Sequence, residues 1–142
     1  MTKIAINSCY GGFGLSEEVL MRYAELQGYK PGIYVEDEFH TKVIIVPRSE
    51  YIEQNNLVKS LRGGDKDLYH QERKVLEGMV VWGFDIKRDD PLLIRAIEET
   101  GEKESSDCLG AIKVVEIPDD VDWEIKEYDG AEWVAERHRT WS

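Results

Sequence analysis

The densest run of chemistry-bearing residues is INSCYGGFGLS, positions 6–16. Gly11, Gly12 and Gly14 let a backbone come close to a ligand or take positive φ. Tyr10 and Phe13 offer flat rings for a base or ribose. The run follows a strand-like segment and precedes Ser16, a good helix N-cap. Strand, glycine turn and helix N-terminus together make an anion seat, since backbone N–H groups and the helix dipole face one way. The spacing and the missing lysine exclude a P-loop, and the three-glycine dinucleotide fingerprint is absent. A plain tight turn with Phe13 buried remains an equal reading.

Cys9 would need a base to act as a nucleophile. No spacing ties it to His40, His70 or His138, and a thiol directly after a buried strand is usually a small apolar filler. The same scatter of histidines argues against a metal site. Asp89-Asp90 and Asp119-Asp120 have simpler uses as cap and turn. A second cluster closes the chain: EWVAERHRTW places Arg137, His138 and Arg139 between Trp133 and Trp141. Guanidinium for phosphate and rings for a base suit a nucleotide. A basic tail paired with acidic neighbours, or a subunit contact, suits the same residues. Arg88, in RDD at 88–90, is within chemical reach of a ligand, although that motif reads mainly as a helix cap.

The elements that must position these residues are legible in part. KIAIN (3–7) reads as a buried strand. Ser16, with Glu17 and Glu18 behind it, opens a helix carrying Val19, Leu20, Tyr23, Ala24 and Leu26, which Gly28 ends. KVIIVP (42–47) and MVVWGF (79–84) read as strands. Residues 48–68 are polar, with RGGD at 62–65 marking a loop. Asp90, Pro91 and Gly101 bracket a helix buried through Leu93, Ile94 and Ile97. AIKVVEI (111–117) is a strand, and VDWEIKEY (121–128) alternates as a half-buried strand should. Asp129-Gly130 is a turn signal. AEWVAERH (131–138) is read as a further strand, completing a C-terminal meander. The pattern is α+β: one domain over 1–142, a mixed or antiparallel sheet and two main helices.

The 142 residues carry a formal net charge of −11, with 29 acidic and 18 basic residues; 17 of the acidic residues lie from Asp85 onward. Such a balance argues against duplex DNA or RNA, which demand clustered lysine and arginine. It leaves room for a small anionic ligand in a local pocket. Two cysteines make no disulfide framework. Met1-Thr2-Lys3 leads straight into a strand-like segment, and no apolar run approaches membrane-spanning length. The expectation is a cytoplasmic protein with reduced thiols and no membrane partner.

INSCYGGFGLS, RDDPLLI, KVVEIPDDVDWEIKEYDG and EWVAERHRTW together resemble the first-named family of phage Thoeris anti-defence sponges. The resemblance spans both ends and about half of the chain; residues 30–75 match nothing in it. It implies a protein that is not an enzyme and needs no cofactor. Such a protein sequesters, in the host cytoplasm, a cyclic ADP-ribose isomer made by a bacterial TIR-domain defence protein. It also implies a homo-oligomer with pockets formed between subunits, some members holding cyclic oligonucleotides at separate sites. No residue role is carried over from the family. On local chemistry the candidate ligand-binding residues are Asn7, Tyr10, Gly11, Gly12, Phe13, Gly14, Ser16, Arg88, Arg137 and Arg139. Two other readings stay open. One is a nucleotide-processing enzyme, a hydrolase or phosphodiesterase using Asp89, Asp90 or Glu136. The other is an acidic protein-binding inhibitor that mimics nucleic acid.

Overall fold

The computed structural model describes residues 1–9, 12–37, 41–106 and 110–137. The fold is α+β; among the described residues there are four α-helices and six strands, every pairing antiparallel and every sheet two-stranded. By internal contact the chain divides into two compact units, Ala24–Trp82 and the two segments flanking it.

The flanking segments build the first unit. Strand β1 (Thr2–Asn7) pairs with β4 (Ile112–Ile117) in the register Thr2↔Ile117 to Asn7↔Ile112. Ile4, Ala5, Ile6 and Asn7 are all buried, so β1 is covered on both faces. One cover is α4 (Pro91–Thr100), whose Leu93, Ile94, Ala96 and Ile97 form the apolar stripe. Asp90 caps that helix, accepting the Leu92 N–H at 2.9 Å, and Pro91 takes the first position. Helix α1 (Glu17–Leu26) begins after Ser16, whose hydroxyl accepts the Val19 N–H at 3.4 Å. Strands β5 (Trp123–Tyr128) and β6 (Ala131–Glu136) form a hairpin closed by Asp129 (φ 51°) and Gly130 (φ 88°). Two successive positive φ values make the tight turn that Asp-Gly favours between twisted strands.

The second unit holds a hairpin of β2 (Gly32–Val35) and β3 (Thr41–Ile44), followed by α2 (Arg48–Ser60) and α3 (Lys66–Glu77). Tyr51, Ile44 and Val80 form its core, with Tyr34, Val46, Leu76, Met79 and Trp82 packed around them. Here the structure departs from the sequence reading. Helix α2 lies in the polar tract 48–68, and α3 starts at the end of that tract, after the loop at 62–65, and runs on to Glu77; the sequence reading places no helix at either. The buried face of α2 is Tyr51, Asn55 and Val58, and a polar residue in the middle of the stripe hides its period. Helix α3 buries no residue at all. MVVWGF shortens to a single bridge, Val80 to Ile44, with flanking bonds from Ile45 N–H to Met79 and from Val81 N–H to Val43. The chain then turns into a 3-10 helix at Gly83–Asp85.

Candidate functional site

The site grows from one edge of β1. Residues two apart on a strand present their N–H groups to the same side. The Ala5 N–H goes to the Arg88 carbonyl at 2.8 Å, and the Asn7 N–H goes to Glu132 Oε1 at 2.9 Å. Arg88 sits just before the Asp90 cap, so the start of α4 fixes its backbone against β1. Its side chain turns back along the same edge. Nη1 donates to Glu132 Oε1 at 2.7 Å and to the Ala5 carbonyl at 3.2 Å, and Nη2 donates to Glu132 Oε2 at 3.0 Å. The pair is bidentate and largely buried, with side-chain exposures of 25 % and 10 %. Phe13 covers the guanidinium: its ring centroid is 3.4 Å from the Arg88 Cζ. That is a face-on stack, the geometry in which a planar cation is best held by an aromatic quadrupole.

Asn7 organises the loop rather than facing a ligand. It is fully buried. Its Nδ2 donates to the Cys9 carbonyl at 2.6 Å and to the Gly130 carbonyl at 2.8 Å. Its Oδ1 accepts the Ala111 N–H at 2.7 Å and the Cys9 N–H at 3.4 Å. One amide therefore ties β1, the glycine loop, the start of β4 and the β5–β6 turn together. Gly110 lies against this knot: a Cβ there would meet Asn7 Oδ1 at 3.0 Å and the Gly12 carbonyl at 3.1 Å. Gly12 itself takes φ 86°.

Within the loop, Gly12, Phe13 and Gly14 are half-buried. Among the described residues none accepts a hydrogen bond from their backbone N–H groups. Ser16 is engaged as the α1 cap, and Glu17 and Glu18 already face the positive end of that helix. The strongest anion-attracting group is therefore Arg88, with the loop amides beside it, rather than the helix N-terminus. Tyr10, Gly11 and Arg139 lie outside the described residues.

Arg137 is not part of this cluster. It follows β6, five residues beyond Glu132, a distance of about 17 Å along a strand. There it sits near Glu124 (3.7 Å) and Asp122 (4.0 Å), and its N–H donates to the Asp122 carbonyl. Trp133 is exposed, opposite Lys126. Cys9 is exposed at the loop. Of the three histidines only His70 is described, edge-on to Tyr69 in α3. Asp90 is committed to its cap and to the Tyr23 hydroxyl at 2.7 Å, while Asp89 and Glu136 are exposed. Among the described residues no three of His, Cys, Asp and Glu gather as a metal-holding group.

Sequence reasoning missed Glu132, Gly110 and Ala111. Their partners are between 44 and 125 positions away in the chain, and no local pattern marks such pairings. Chemically, the cluster holds charge. A guanidinium stays protonated at any accessible pH, and a carboxamide has no proton to exchange in catalysis. Together with loop amides that find no acceptor among the described residues and an aromatic face they suit the binding of a phosphorylated, flat ligand. No family model, no curated protein and no solved structure matches the chain.

Proposed function

We propose that the protein is a sponge for a nucleotide signal: it binds a cyclic ADP-ribose isomer, or a related cyclic nucleotide, and withholds it without altering it. The observation that carries the reading is the Phe13–Arg88 stack beside the backbone amides at 12–14, which find no acceptor among the described residues. A diphosphate needs cations and N–H donors, and an adenine needs a flat partner; both requirements meet where the glycine loop packs against Arg88 at the start of α4. The motifs at the two chain ends, which resemble the Thoeris anti-defence sponges, supply the choice of ligand. On this reading the protein works as a homo-oligomer in the host cytoplasm and uses no cofactor. Withholding a signal depends on slow release from an enclosing pocket, not on bond breaking.

The test is retention. The protein is incubated with the cyclic ADP-ribose isomer, freed of excess ligand, and heat-denatured. Intact isomer in the supernatant, absent before heating, is the expected result. A converted product overturns the reading in favour of a hydrolase or phosphodiesterase. No retained ligand overturns it in favour of the acidic inhibitor.

A further inference from the structure

We infer that the Glu132 carboxylate is an internal stand-in for a ligand's phosphate, so that the seat formed by Arg88, Phe13 and the Asn7 N–H takes a pyrophosphate-type anion by displacing Glu132. The inference rests on the reading above for the identity of the full ligand, but not for the seat itself.

The first support is the donor set. Two guanidinium N–H groups and one backbone N–H converge on the two oxygens of Glu132, at 2.7, 3.0 and 2.9 Å. A planar fork plus a main-chain amide, roofed by an aromatic ring, is an arrangement that binds phosphate as readily as carboxylate. The amides of Gly12, Phe13 and Gly14, which find no acceptor among the described residues, lie in the loop that carries the roof, where a larger anion with more oxygens finds further donors.

The second support is independent of that geometry. In the hairpin register Glu132 stands directly opposite Glu127. Like charges facing each other across two strands destabilise the pair. The hairpin therefore gains nothing from a carboxylate at 132; the gain comes only through Arg88 and Asn7. Glu132 is also the second residue of β6, two positions after the Asp129-Gly130 turn, whose Gly130 carbonyl is held by Asn7 Nδ2, so only the Glu132 side chain has to leave the seat. An internal occupant lowers apparent affinity in proportion to the fraction of molecules in which the seat stands open. It also keeps a buried guanidinium from standing unpaired before the ligand arrives.

The probe for the seat is inorganic pyrophosphate, titrated by calorimetry into the wild type and three variants. Glu132→Gln keeps the shape and removes the competing charge, and we expect it to bind at least about tenfold tighter than wild type. Glu127→Gln removes the same charge from the facing strand without touching Arg88, and it stays within about twofold of wild type by screening of exposed charge. Adding Arg88→Gln to Glu132→Gln abolishes the gain. Equal or weaker binding by Glu132→Gln, or an equal gain in Glu127→Gln, overturns the inference. If Glu132→Gln lacks a cooperative melt, the wild type answers through its amide spectrum. Movement of the Asn7 N–H and Arg88 Nε–H resonances with millimolar pyrophosphate is expected, and their constancy overturns the proposal. The two readings fail separately. Pyrophosphate behaviour as expected with no isomer retained removes the sponge and leaves the seat. Isomer retained equally by wild type and Glu132→Gln leaves the sponge and removes the stand-in.

Discussion

The Arg88 Cζ lies over the Phe13 ring, 3.4 Å from its centroid, while the guanidinium edge is clamped by Glu132. Two residues 75 positions apart thus join a loop that is chemically ambiguous to a helix start that reads as a cap. The stack makes Phe13 the residue whose loss tests the loop. Phe13→Ala removes the ring from the cation and, on the proposed sponge reading, from the ligand, so that binding of the cyclic ADP-ribose isomer is expected to fall about tenfold or more, from the usual worth of such stacking. Phe13→Trp keeps a larger face and retains the ligand. Calorimetry on both variants checks this; unchanged affinity in Phe13→Ala removes the loop from the pocket.

Asn7 gives a prediction about stability rather than affinity. Its carboxamide satisfies two carbonyls and two N–H groups in a site with no solvent access. Asn7→Ala leaves those partners unpaired and costs about 2–4 kcal/mol. Asn7→Asp does comparable damage, because an acceptor-only oxygen then faces the carbonyls of Cys9 and Gly130. Urea unfolding reads both as a lowered midpoint at unchanged slope.

The contrast between these residues shows what a sequence can carry. Local signals were legible: the Asp90-Pro91 start of α4 and the Asp129-Gly130 turn recur in the structure, and the strand read over 121–128 forms over Trp123–Tyr128, although its burial falls toward the turn instead of alternating. Phe13 and Arg88 were legible as chemistry but not as partners. Asn7 was legible as a position, not as a knot, because its role depends on Gly130 and Ala111, which folding brings in from over a hundred residues away. The middle was opaque for a different reason. A helix announces itself by an apolar period, but α2 buries an asparagine in its stripe and α3 buries nothing. Such helices are held by caps and neighbours, signals too weak to stand out in a polar tract.

Helix α3 makes that dependence testable. Asp65 Oδ1 accepts the N–H groups of Asp67 at 2.9 Å and Leu68 at 3.2 Å. Helix α3 has no fully buried residue and meets the core through the half-buried Leu76, so the cap carries a substantial share of the stability of its first turn. Asp65→Ala costs about 1 kcal/mol, whereas Asp65→Ser largely preserves the helix. Hydrogen exchange localises the effect: amides of α3 lose protection in Asp65→Ala, while those of β1 and β4 do not.

Tyr23 links α1 to the cap of α4, and its effect depends on pH. Its hydroxyl donates to Asp90 Oδ2 at 2.7 Å while the other oxygen of Asp90 holds the Leu92 N–H. Burial first, then the bond to Asp90 and the charge of its carboxylate, push the Tyr23 phenol from its ordinary 10 up to about 12. The fold thus favours the protonated phenol. Its stabilising contribution is complete below about pH 10 and disappears as pH rises through about 12. Tyr23→Phe removes a hydrogen bond to a charged acceptor and costs about 1.5–2 kcal/mol near neutrality. The stability gap between wild type and Tyr23→Phe, measured by urea unfolding, stays constant from neutral pH to about pH 9 and narrows above 10. A gap that widens in alkali would mean that Asp90 does not hold the phenol in its protonated form.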